Sequence, residues 1–254
     1  MSDKPDNPPR NPMASAQRLA RQELPRRFYK EAAAGPHEGG FALLLDGRVV
    51  KTPARRPLAV PSRAVAEALA AEWDRQGERI DPATMPLTRI VNAAIDQVAG
   101  EMAAVRAEIV KYAGTDLVCY RADGPASLVE AQAAAWDPLV LWAREALGAR
   151  LVLAEGVIAV AQHAAALAAI DRAVASLVDP LTLAALSTVT TLTGSAVIAL
   201  AVARRHLSAE QAWAAALADE DWQISQWGKD EAAMLARAFR WREMAAAALI
   251  LGAS

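Results

Sequence analysis

Residues Leu181 to Ala203 pass without one charged side chain, and Arg204 and Arg205 close the run. So long an uncharged stretch belongs either in lipid or inside a helical protein. The run also carries Ser187, Thr188, Thr190, Thr191, Thr193 and Ser195, with Gly194 among them. Hydroxyls and a glycine penalise transfer into hydrocarbon, and each hydroxyl can bond a carbonyl one turn earlier. The expected placement is a helix buried on all sides in a bundle, and not a membrane span.

Composition agrees. Hydrophobic residues make up 54% of the 254 and aromatics only 5%, so alanine does much of the apolar work. Alanine favours helix and adds little bulk, which predicts closely packed helices. With 27 basic and 29 acidic residues the net charge is -2, too balanced to attract nucleic acid or an anionic membrane. The single cysteine, Cys119, excludes an intrachain disulfide, and its simplest role is that of a small buried hydrophobe in a reducing compartment. The opening MSDKPDNPPRNP has early acidic groups and no apolar core. It reads as neither a secretory signal nor a mitochondrial presequence, and a disordered tail is expected over 1–25.

Arg27 to Pro61 reads as strands and turns. Phe41 to Leu45 and Arg48 to Thr52 flank Asp46-Gly47, a strong hairpin signal because both turn positions need positive φ. Leu58 to Val60 forms a short strand between prolines. Ser62 is placed to cap a helix carrying Val65, Leu69 and Trp73 and ending near Gly77. Further helices are expected over Leu87–Val98, Glu101–Tyr112, Ser127–Leu147 (kinked or restarted at Pro138), Ala164–Leu177, Ser208–Leu217 and Asp230–Leu251. Leu151 to Val160 reads as a short strand or an extended loop.

The residues assemble no catalytic or cofactor constellation. His37, His163 and His206 are far apart, and none has a second ligand at metal spacing. His37 is expected to be exposed in a Gly/Pro loop. Gly39-Gly40 lacks the Lys-Ser or Lys-Thr of a phosphate loop. Two acidic groups, Glu72 with Asp74 and Asp219 with Glu220 and Asp221, could serve acid–base chemistry if burial split their pKa values. The simpler reading of both is a solvated helix end. Six of the 7 tryptophans fall in the second half, and Trp222 and Trp227 flank Gln223 and Gln226. Such indoles either fill a core with a partner for the N–H or anchor an interface.

Several strings coincide with one family: RRFYKEA, GGFALLLDGRVVKTP, the stretch through Met85, Pro86, Leu87, Thr88, Asn92 and Asp96, then YAGTDLVCYRADGP, QAAAWDPLVLWA and LADEDWQISQWGKDE. From about Arg26 onward the chain resembles the assembly chaperones that act on the alpha subunit of F-type ATP synthase. The resemblance implies an α+β fold, with a small strand/helix domain over 26–86 followed by a mainly α-helical orthogonal bundle over 87–254. It implies no enzyme activity, no cofactor and no metal. The implied partner is unassembled alpha subunit, held against aggregation until it pairs with beta by a monomer in the bacterial cytoplasm, or in the mitochondrial matrix if the source is organellar. An acidic position important in relatives maps to Glu220, with Asp219, Asp221 or Glu231 as alternatives. Where relatives most often carry a threonine, this chain has Ala93, which removes one hydroxyl.

The expected partner-binding residues are Glu220, Asp221, Trp222, Gln223 and Trp227, which combine aromatic anchors with charges that set orientation. The Pro- and Met-rich loop Asp81 to Leu87 is a second candidate surface, or simply a linker. The competing readings are a small-molecule hydrolase built on the C-terminal acidic cluster, which needs two carboxylates converging in a pocket, and a membrane-associated scaffold built on Leu181 to Ala203.

Overall fold

The computed structural model describes residues 24–156 and 160–253. The tail expected over 1–25 therefore lies outside the described residues except for Leu24 and Pro25. The carbonyl of Pro25 accepts the Ile80 N–H at 2.9 Å.

Strand β1 (Ala32–His37) pairs antiparallel with β2 (Gly40–Leu45), in register from Ala32 with Leu45 to His37 with Gly40. The Asp46-Gly47 turn leads into β3 (Arg48–Val49), with φ values of 47° and 76°. Positive φ at both positions matches the turn to the twist of the strands. The returning strand stops short of Thr52 because the chain bends away there. Thr52 Oγ1 donates to the Asp96 carboxylate at 2.7 Å, and the Ala54 N–H donates to it at 2.9 Å. Strand β4 (Ala59–Val60) then pairs with β2 at Phe41 and Ala42.

Helix α1 (Arg63–Asp74) packs on this sheet, with Val65, Ala66 and Leu69 in one buried cluster with Leu43, Leu58 and Val60. Ser62 stands at its N-cap, but its side chain makes no capping bond. The Glu72–Asp74 pair does not end in solvent as a unit. Asp74 meets Arg27 at 3.0 Å near the surface. Glu72 is only 4% exposed, and its carboxylate caps the next helix, α2 (Pro86–Ala93), by accepting the N–H groups of Leu87 at 2.9 Å and Thr88 at 2.8 Å. Those first-turn donors have no partner within their own helix.

The sequence pattern predicts two helices between Leu87 and Tyr112. The chain instead winds on from α2 through a wider π turn, Ala94–Val98, into α3 (Ala99–Gly114), which is broken only at Glu101 (φ -130°). The wide turn sits where Asp96 reaches back to Thr52 and Ala54, and where Arg56 bonds the Ile95 carbonyl. Beyond a tight turn at Leu117–Cys119, β5 (Tyr120–Arg121) pairs in parallel with β6 (Ala154–Glu155). Only that part of Leu151–Val160 is strand, and residues 157–159 lie outside the described residues. Helix α4 (Ala126–Trp142) continues through Pro138 without a restart and ends in a π turn at Ala143–Leu147.

Helix α5 (Ala164–Ala175) precedes the uncharged run, which is two buried helices and not one: α6 (Pro180–Thr193) and α7 (Ala196–Ala203). Gly194, at φ 68°, ends α6 in the left-handed conformation that glycine adopts at least cost. Ser195 then caps α7 by accepting the Ile198 N–H at 3.0 Å. The back-bonding hydroxyls are in place: Thr188, Thr190, Thr191 and Thr193 each donate to the carbonyl four residues earlier. Among the described residues no helix is long and apolar enough to cross a membrane.

Helix α8 (Ala209–Ala216) opens on a capping box between Ser208 and Gln211. Helix α9 (Ala218–Trp227) follows directly, and α10 (Glu231–Gly252) packs against α2, α6, α7 and α8. The resulting α+β fold has one main core, continuous from Leu43 and Leu58 under the sheet to Trp136, Leu186, Ile198 and Met244 in the bundle.

Candidate partner-binding surface

The acids Asp219, Glu220 and Asp221 form the first turn of α9, where the partial positive charge of a helix start favours carboxylates. Each is committed to a different group. Asp219 accepts from buried Gln132 of α4 at 2.8 Å. Glu220 takes a two-pronged contact from Arg240 Nη2 at 3.0 and 3.1 Å. Asp221 pairs with Arg237, and this bond holds the Arg237 guanidinium above its ordinary pKa. The three carboxylates thus diverge, two onto α10 and one onto α4. Glu220 and Asp221 remain at the surface, as expected of a solvated helix end, but each carries an ion pair, and the three acids do not form the converging pair that a hydrolase needs.

Farther along α9, Trp222 is half-buried and donates its indole N–H to Ser127 Oγ at 3.1 Å. Its ring meets that of Trp227 edge-to-face, with centroids 5.6 Å apart. Trp227 is 74% exposed, whereas Trp136 is wholly buried with its N–H on the Ala215 carbonyl at 2.7 Å. The two alternatives for an indole therefore fall to different residues: Trp136 fills the core and Trp227 faces outward. Gln223 is also exposed. All five expected partner-binding residues, Glu220, Asp221, Trp222, Gln223 and Trp227, lie on this one short helix.

The outer face of α10 was not among the surfaces expected from the sequence. Leu235 is 69% exposed, and Phe239 and Leu249 are each 41% exposed. The spacing of 235, 239, 242, 246 and 249 places them on one stripe. Apolar positions at helical spacing within Asp230–Leu251, on the side away from the core, are the signal that would have found it. In the loop Asp81 to Leu87, by contrast, Met85, Pro86 and Leu87 are buried and only Pro82 to Thr84 are exposed.

The remaining candidates have structural places. Cys119 is buried, and burial pushes its thiol up to about 12. His37 ends β1 half-buried and not in an open loop, and His206 stacks on Trp142 at 5.1 Å. Asp116 is fully buried and accepts the N–H groups of Val118 at 3.3 Å and Val197 at 3.0 Å. Among the described residues no three His, Cys, Asp or Glu side chains cluster to hold a metal ion.

The family profile of the ATP12 chaperone protein matches residues 26–144. A crystal structure of ATP12 from Paracoccus denitrificans superposes with a TM-score of 0.81 at 44% identity, over 89% of this chain and 97% of that one. The chain belongs to the ATP12 chaperone family. A point mutant of the same Paracoccus protein superposes equally well, with a TM-score of 0.81 at 43% identity. A crystal structure from Agrobacterium tumefaciens gives a TM-score of 0.87 at 45% identity, over 97% of this chain and 92% of that one. The mitochondrial protein atp12 of Schizosaccharomyces pombe is 25% identical over 217 residues, which are 81% of this chain and 75% of that protein. Membership in ATP12 makes this chain a chaperone of ATP synthase assembly.

Proposed function

We propose that this ATP12 member binds the unassembled alpha subunit of F-type ATP synthase and keeps it from aggregating until beta displaces it. The single observation behind this reading is the likeness to the two Paracoccus ATP12 structures, over 91% and 89% of the chain. It works by contact and without catalysis or cofactor, as a monomer in the cytoplasm of a bacterium. A subunit awaiting its partner exposes an apolar docking face, and such faces aggregate unless covered. Helix α9 suits the covering of such a face. Trp227 stands out as an aromatic anchor, Gln223 adds a polar rim, and Glu220 and Asp221 orient the contact.

The test is light scattering of isolated alpha subunit with and without an equimolar amount of this protein. Suppressed aggregation, with no nucleotide turnover, is the expected result. Unchanged scattering refutes the reading.

A further inference from the structure

A groove of about 550 Å³ lies between α1 and the second half of α10, closed at one end by the start of α2. Its floor is apolar and small-featured, formed by Ala68, Leu87, Ala245, Ala246 and Leu249. Two polar residues at its wall are already committed. The Glu72 carboxylate is spent on Leu87 and Thr88. The Gln76 amide donates to Thr84 and accepts from Asp81.

The two remaining charged walls are Arg75 and Arg242. Both are exposed, and neither guanidinium has a hydrogen bond or an ion pair among the described residues. Around α10 the other guanidinium groups are taken: Arg237 and Arg240 pair with acids of α9, and Arg89 pairs with Glu243. An apolar trough flanked by two free guanidinium forks is complementary to apolar side chains that carry carboxylates beside them. Arg242 and Leu249 also belong to the outer stripe of α10 that begins at Leu235 and Phe239. At 1.5 Å per residue the stripe runs roughly 20 Å, the span of a peptide helix and not of a small anion.

We infer that this groove and the stripe leading into it seat an acidic amphipathic helix of the client. The apolar face of that helix lies over Ala245, Ala246 and Leu249, and its carboxylates face Arg75 and Arg242. This rests on the alpha subunit being the client. It adds a second contact surface distinct from α9 and fixes the chemistry of the segment recognised there.

The affinity of isolated alpha subunit is measured for the wild-type protein, for Arg75→Glu with Arg242→Glu, and for Arg75→Gln with Arg242→Gln. The reversed pair is expected to bind about tenfold more weakly, and the neutral pair to fall between. The salt dependence seen with wild type should shrink in both, with circular dichroism and melting temperature unchanged. The neutral pair decides the matter if the reversed pair folds poorly. A photo-crosslinker at Leu249, read by mass spectrometry, should capture a segment of alpha that bears Asp or Glu. Equal affinity of the neutral pair and wild type overturns the groove alone, as does a crosslink to a segment without carboxylates, to a second copy of this chain, or to its own residues 1–23. Failure of the wild type to bind alpha at all overturns the client assignment, and the groove with it.

Discussion

Glu72 and Thr88 meet twice: one carboxylate oxygen of Glu72 accepts both the backbone N–H of Thr88, at 2.8 Å, and its hydroxyl, at 2.6 Å. Thr88 Oγ1 also accepts the indole N–H of Trp73 at 3.0 Å. This knot ties the helix on the sheet to the first helix of the bundle. Glu72→Ala leaves the Leu87 and Thr88 N–H groups buried without partners, at a cost of about 3 kcal/mol. The midpoint of urea unfolding should fall accordingly, and a change within error would show that water satisfies these donors.

Asp116 makes stability depend on pH. Burial pushes its carboxyl from 3.8 up to about 6, opposed by hydrogen bonds from Ser195, Val197 and Val118. The folded state therefore holds the proton more tightly than the unfolded chain. The resulting stabilisation is complete below about pH 4 and is lost as pH rises through 6. Asp116→Asn removes this titration, so the unfolding free energy of the variant, taken relative to wild type, should rise steadily between about pH 4 and 6. Parallel curves would mean that Asp116 is ionised throughout.

Gly194→Ala forces a side chain into a backbone with φ of 68°, although the nearest atom to the added carbon, on Leu117, is 3.9 Å away. The cost is conformational, about 1 kcal/mol, and not a clash. A thermal melt should show a drop of a few degrees.

Glu220→Lys replaces a contact to Arg240 with a repulsion. Both side chains are more than a third exposed, so solvent screening limits the effect on stability to about 0.5–1 kcal/mol. Protection of alpha subunit from aggregation should weaken far more than this if Glu220 also orients the client. Glu220→Gln separates the two roles, because it drops the charge without adding a cation beside Arg237 and Arg240. If both variants protect like wild type, Glu220 is only an internal strut.

Trp227→Ala touches a side chain that is 74% exposed. It should leave the melting temperature within about a degree and reduce alpha-subunit affinity by roughly tenfold if the indole is an anchor. Unaltered affinity would place the α9 contact elsewhere.

The parts of the fold legible in the sequence were those governed by local chemistry. Asp46-Gly47 demands positive φ, Ser208 with Gln211 closes a capping box, and the threonines of α6 bond back within their own helix. What escaped depends on residues distant in the chain. Glu72 and Asp74 look alike in sequence, yet only Glu72 meets the helix start 15 residues on. The break at Gly194 lies within an unbroken apolar pattern, where periodicity carries no boundary. In the candidate site the acids stood out by type, but their partners Arg237 and Arg240 lie 16 and 20 residues later, and Gln132 lies 87 residues earlier. Arg75 and Arg242 read as ordinary surface charges, because their lack of a partner is visible only once the nearby Arg89, Arg237 and Arg240 are seen to be paired.

Helix α10 is the last of the described helices in chain order, yet it lies against α2, α6, α7 and α8 and brings Met244, Ala247 and Ile250 into the core. During synthesis the earlier helices must therefore wait beside the ribosome with that wall of the interior open. An assembly chaperone thus passes through a state with open apolar surface of its own, and its interior is complete only after α10 has left the exit tunnel and closed the gap.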